Sequence, residues 1–167
     1  PSGVRDAQLV LVCVKSADTE SAAKAIAPYL AKDAILVSLQ NSIGNVERIR
    51  AHADRPVAAG TVYTAANMPG PGHVKHTGGG SIVIGGVPAW GIDDTKLTAI
   101  KQIFDAANVP VEISSSIELV LWTKLMQNCC YNAVCALTEE PYGEDPFLVG
   151  KLRVERGQRT AGAAHHV

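Results

Sequence analysis

The chain has 167 residues, 47% of them hydrophobic, and a formal net charge of −1. That length and apolar content support a buried core of one domain, or one and a part. The balanced charge leaves no electrostatic footprint for nucleic acid or for an anionic membrane surface. Cys13, Cys129, Cys130 and Cys135 make no C-x-x-C pair and sit in apolar segments, which predicts reduced core thiols in a cytoplasmic protein. No apolar run has the length and flanks of a membrane span, and no signal peptide precedes the first element. The opening Pro1-Ser2-Gly3, in place of a methionine, suggests a processed or partial sequence.

In chain order, residues 8–14 (QLVLVCV) form a continuous β-branched apolar run without alternation, the pattern of a parallel strand covered on both faces. The run ends at Lys15-Ser16, and a helix is expected from about Asp18 to Leu30 with Ala22, Ile26 and Leu30 as its buried spine. Residues 34–39 (AILVSL) read as a second buried strand ending at Gln40-Asn41. A loop through Asn45, a short helix over 46–52 and a third strand over 56–65 follow. Strand, helix, strand, helix, strand at these lengths is the signature of a parallel α/β sheet. Ligands of such sheets sit outside the carboxyl ends of the strands, and Lys15, Asn41 and Ala65-Ala66 are each expected at that edge. Taken singly, Lys15 also suits a solvated loop and Asn41 a turn; their shared edge favours a site.

Residues 67–80 (NMPGPGHVKHTGGG) read as loop and turn. Gly78-Gly79-Gly80 precedes the strand SIVIGG instead of a helix and lacks a following G-K-[ST], so a turn is preferred over a phosphate cradle. His73 and His76 have no third ligand at suitable spacing and read as surface histidines; no metal site is expected. An amphipathic helix over 93–107, carried by Leu97, Ile100, Ile103 and Phe104, leads to a last strand over 109–113, and composition shifts at 114.

Residues 114–138 (SSSIELVLWTKLMQNCCYNAVCALT) read as a helix opened by an S-x-x-E capping box, Ser115 to Glu118, and closed near Pro141. It is apolar almost all round, which predicts burial by protein. Lys124, Asn128 and Asn132 follow at i, i+4 and i+8 and drift by only about 40° per step, so they form one stripe. The stripe suits either the solvent face of an amphipathic helix or the wall of a polar cleft. Its narrowness favours the cleft, because a buried ammonium and two amides need partners or water. Beyond Glu144 the apolar signal fades and a weakly ordered tail is expected.

Four stretches together resemble the ketopantoate reductases (2-dehydropantoate 2-reductases). They are LVLVCVKS at 9–16, LQNSIGN at 39–45, GTVYTAA with GHVKHTGGG at 60–66 and 72–80, and LWTKLMQNCCYNAVCALT at 121–138. The resemblance implies a partial Rossmann-like parallel sheet over 1–113 that forms the later part of an NADP-binding domain. Residues 114–167 would then supply the first long helix of an all-helical substrate domain, plus the tail. It further implies NADPH-dependent reduction of ketopantoate to pantoate in pantothenate synthesis. Lys124 would be the general acid, and Asn128 and Asn132 would bind the substrate. Asn41 would touch substrate and nicotinamide ribose, while Lys15 and the Ala66 backbone would contact the cofactor. A small-molecule 2-oxo acid is the expected partner, and a homodimer is compatible with it. Ser42 stands where the family's loop has glycine, and Tyr142 where it often has asparagine before Gly143-Glu144. The family's G-x-G-x-x-G loop is not found in these residues, so the 167-residue chain alone is expected to bind NADPH weakly and to be inactive. A family relative reducing another 2-oxo acid, or a non-catalytic α/β remnant, are the alternative readings.

Overall fold

The computed structural model describes residues 2–139. Strand β1 (Leu9–Val12) leads through a 3-10 turn into helix α1 (Thr19–Ile26), then β2 (Ile35–Ser38), helix α2 (Asn45–Arg50) and β3 (Val57–Gly70). Strand β4 (His73–Gly85), helix α3 (Asp94–Ala106), β5 (Val111–Ile113) and helix α4 (Ile117–Thr138) follow. The five strands form one sheet in sequential order. β1, β2 and β3 are parallel, β4 returns antiparallel to β3, and β5 is parallel to β4. This is the expected α/β sheet, mostly parallel, with one antiparallel step.

One compact unit runs to Leu125 and a second begins at Met126. The first contains the sheet and its core. β2 is covered on both faces, since adjacent Leu36 and Val37 are both fully buried. Val57, Ala58, Ile84, Ile49 and Ile100 complete the centre, and Ile117 brings in the first turn of α4. The described residues of the second unit are the remainder of α4 and Glu139. Pro141, Tyr142, Gly143, Glu144 and the expected tail lie outside the described residues.

Several expectations are corrected. Among the described residues β1 is not covered on both faces: it lies at one end of the strand order, and Leu11 is 45% exposed while Val10 and Val12 are buried. The buried positions of α1 are Thr19 and Ala23, with Leu30 following, while Ala22 is half-buried. In α3, Leu97 and Ile100 are buried but Ile103 faces solvent. The expected loop at 67–80 is instead a long hairpin. β3 continues to Gly70, turns at Pro71-Gly72 with Gly72 at φ 71°, and pairs back along β4. Residues 63–69 and 71–77 are exposed, so no burial pattern marks them as strand in the sequence.

Helix α4 starts at Ile117, and Ser114 Oγ accepts the Ser116 N–H in the turn ahead of it, in place of a Ser115–Glu118 box. It is not buried all round. Leu119, Trp122, Met126 and Leu137 are exposed, because no element among the described residues covers them. Cys13, Cys129 and Cys130 are likewise exposed and Cys135 half-buried, all free thiols and none in the core. No helix among the described residues is long and apolar enough to cross a membrane.

The start of α4 rests on a glycine. A Cβ at Gly85 would lie 2.6 Å from Ile117 Cβ and 2.7 Å from the Ser114 carbonyl oxygen. Gly85→Ala is therefore expected to destabilise the fold by about 1–3 kcal/mol through overpacking. Urea unfolding checks this; unchanged stability would mean that the Ser114–Ile117 turn yields without cost.

Candidate active site

The carboxyl ends of β1 and β2 are joined by a buried polar network. Gln40, just past β2, is 6% exposed; its Nε2 donates to the Val14 carbonyl (2.9 Å) and to Thr19 Oγ1 (2.8 Å). Ser38 Oγ donates to Gln40 Oε1 at 3.1 Å. Thr19 Oγ1 donates to the Ser16 carbonyl (2.9 Å) and also lies 3.3 Å from Asn45 Oδ1. No buried side-chain nitrogen or oxygen among the described residues lacks a partner, so this network is fully satisfied. That matters, since an unpaired polar group at such depth costs as much as a lost hydrogen bond.

The network surrounds the two cofactor-side candidates without using their side chains. The Asn41 carbonyl accepts from Ser16 Oγ (2.9 Å), next to Lys15, and from Asn45 Nδ2 (3.0 Å). The main chain at Asn41 is thereby clamped to the β1–α1 loop. The side chains of Lys15 and Asn41 stay at the exposed rim, as the sheet topology predicts. Ser42 sits at φ 82° and Gly44 at φ 78°, both in the left-handed region. Glycine adopts that conformation without strain, so this structure supplies the physical reason for a glycine at the Ser42 position.

Lys124 stands elsewhere on the same unit. Its Nζ donates to the Val62 carbonyl of β3 and lies 4.8 Å from the centroid of the Tyr63 ring. Burial pushes its ammonium below the ordinary lysine range. Ala66 does not end a strand: it pairs with His76 within the exposed hairpin, beyond the region where β3 pairs with β2. Asn128 and Asn132 lie on α4 in the second unit, half-buried and exposed respectively. The structure thus brings the Lys15 loop and Asn41 together and anchors Lys124 on β3. It shows no hydrogen bond from Lys124 to either of them.

A cavity of about 180 Å³ opens beneath the 40–47 loop, with Ser38, Gln40, Asn45, Gly60, Trp90 and Trp122 among its walls. Lys15, Asn41, Ala66 and Lys124 do not line it. The four candidate residues are therefore on the rim and on β3, outside this cavity. His73 and His76 are exposed, and no set of three metal-ligating side chains gathers among the described residues. The residues that sequence reasoning missed are Thr19, Ser38, Gln40 and Asn45, together with Tyr63. Gln40 and Asn45 stand in the QNSIGN stretch and Tyr63 in GTVYTAA, whereas Thr19 and Ser38 lie in neither and carried no such signal.

A mostly parallel sheet with ligand-type side chains on its carboxyl edge defines the Rossmann-like class of α/β proteins. Comparison with known proteins narrows this. Residues 2–89 match the family model "Ketopantoate reductase PanE/ApbA". The 2-dehydropantoate 2-reductase of Halobacterium salinarum is 35% identical over 145 residues, 86% of this chain and 46% of that protein. The crystal structure of a PanE/ApbA family ketopantoate reductase from Ralstonia eutropha is 49% identical with a TM-score of 0.73, over 86% of this chain and 46% of its own. D-mandelate dehydrogenase, solved with NADH and anilino(oxo)acetate, shares the fold at 24% identity and a TM-score of 0.68, over 79% of this chain and 42% of its own. This chain belongs to the PanE/ApbA ketopantoate reductase family, and it spans about half the length of the relatives it matches.

The network itself is testable. Thr19→Val keeps the shape but removes both the acceptor for Gln40 and the donor to Ser16. The expected loss is about 1–3 kcal/mol of unfolding free energy, with a smaller loss for Thr19→Ser. Equal stability of Thr19→Val and the parent in urea would contradict the network.

Proposed function

We propose that the complete protein reduces a 2-oxo acid with NADPH, and that the acid is 2-dehydropantoate, giving pantoate for pantothenate and coenzyme A synthesis. The observation that carries the reading is the Lys124 ammonium, partly desolvated and held on β3, the strand beside β2, past whose end Asn41 lies. Family membership supports the reaction class. Relatives bearing the name 2-dehydropantoate 2-reductase support the substrate.

The residues present fit a dinucleotide. Lys15, exposed at the end of β1, suits an anionic phosphate, and the Asn41 amide, on a clamped main chain, suits a ribose hydroxyl. The Ala66 backbone is the third cofactor contact in this reading. The nicotinamide, when bound, supplies the hydride. As negative charge builds on the substrate oxygen, Lys124 stabilises it and gives up its proton. Asn128 and Asn132, at one and two helical turns beyond Lys124, orient the carboxylate and hydroxyl end without adding charge. Asn41 serves the substrate as well as the cofactor. In the same reading, residues 1–113 belong to the cofactor domain, and α4 opens a helical substrate domain whose further helices cover Leu119, Met126 and Leu137.

Lys124→Ala in the complete enzyme is expected to lower kcat for 2-dehydropantoate by roughly 10²–10⁴-fold, with NADPH affinity and thermal stability close to unchanged. The acid must be protonated to act, and burial lowers its pKa. The alkaline limb of the kcat/KM profile is therefore expected below the ordinary lysine value of 10.5, with activity lost as pH rises through it. Near-normal turnover of Lys124→Ala would return the lysine to a structural role.

A further inference from the structure

We infer that Tyr63 is a positioning residue for Lys124, and that the glycine run Gly78-Gly79-Gly80 shapes the strand so that the tyrosine ring meets the ammonium. The inference rests on the reading of Lys124 as the proton donor. A lysine is a point charge on a flexible stem, so its usefulness as an acid depends on what holds the ammonium still. Here two consecutive residues of β3 do so. The Val62 carbonyl accepts one N–H, and the Tyr63 ring lies 4.8 Å from Nζ, within the range of a cation–π attraction. No carboxylate among the described residues forms an ion pair with Lys124, so that carbonyl and that ring are its hydrogen-bond and cation–π partners.

The glycines explain how the ring comes to be there. Tyr63 pairs with Ser81, whereas Thr64 pairs with Gly79, so Gly80 is an extra residue on β4 between the two pairs. Such a bulge bends the strand and increases the local twist of the ribbon, here directly beside the pair that contains Tyr63. Gly80 has φ 124° and Gly79 φ 73°, both conformations that favour glycine. A Cβ on Gly79 would stand 2.3 Å from the Tyr63 carbonyl oxygen. The glycine run is therefore neither a turn nor a phosphate cradle. It is the part of the ladder that permits close approach to Tyr63.

The test compares the complete enzyme with its Tyr63→Phe, Tyr63→Leu and Lys124→Ala variants, assayed with NADPH and 2-dehydropantoate across the alkaline range. Tyr63→Phe keeps the ring face and is expected to keep both kcat and the position of the alkaline limb. Tyr63→Leu keeps apolar bulk but loses the ring's attraction for the cation. It is expected to lower kcat by roughly 3- to 30-fold, the range such contacts give. Its alkaline limb should move to lower pH, because the protonated form loses stabilisation, and its KM for NADPH should stay unchanged. Tyr63 is 40% exposed, so the leucine should fold; Tyr63→Met serves in its place if it does not. A leucine or methionine variant with the parent's kcat and profile would overturn the inference. So would a phenylalanine variant as impaired as leucine. Full turnover in Lys124→Ala would instead refute the proton-donor reading on which the inference rests.

Discussion

The Gln40 side chain makes the interaction on which the geometry of the candidate site depends. It leaves the end of β2 and reaches back to the end of β1, bonding the Val14 carbonyl and Thr19 Oγ1. Two parallel strands with a helical crossover share ladder bonds only along their paired length. The last such bond runs from the Leu39 N–H to the Val12 carbonyl (3.1 Å), and beyond it nothing in the ladder fixes the emerging loops relative to each other. The Gln40–Thr19–Asn45 cluster replaces the ladder at that point. Because it is buried and fully satisfied, it fixes one arrangement of the two loops instead of a range. Lys15 and Asn41 inherit that precision through their main chains while their side chains remain available at the rim.

The second fixed point is β3, the strand that follows both loops. Its first half is buried core, and its second half leaves the sheet as an exposed ribbon with β4. Tyr63 stands where the one gives way to the other, beside the bulge at Gly80. A two-stranded ribbon is weak on its own. Here it continues out of a five-stranded sheet and is steadied at its base by Ile82 and Ile84 in the core. The placement of a lysine from α4 against the base of this ribbon depends on long-range packing, with Val62 and Lys124 separated by 62 positions.

How much of this was legible in the sequence follows from what each residue reports locally. The apolar, β-branched runs of β1, β2 and early β3 announce themselves because burial shapes their composition. The same patterns put Lys15 and Asn41 just past β1 and β2 and Lys124 on the long helix, where the structure has them, but put Ala66 at a strand end where it does not lie. The hairpin was illegible for the converse reason: residues exposed on both faces carry no alternation, and glycine and proline there read as loop. The capacity of Gly79 and Gly80 for positive φ shows only once the bulge is seen. Gln40, Thr19 and Asn45 look like ordinary loop and cap residues, since their partners lie 21 and 26 positions away. Apolar character at Ile103, Leu119 and Met126 says that a cover would be favourable, not that one is present in these residues.

The central claim is that rim and strand, Asn41 and Lys124, serve one 2-oxo acid. A crystal structure of the complete protein with NADP and an unreactive 2-oxo acid analogue tests it most directly. The account predicts Lys124 Nζ within about 3 Å of the oxygen on the reacting carbon. It also predicts the Asn41 amide on the same ligand pair, with the Asn41 carbonyl still held by Ser16 and Asn45. An analogue bound with Lys124 Nζ out of reach of the reacting oxygen, or with the Asn41 amide out of reach of the ligands, would contradict it.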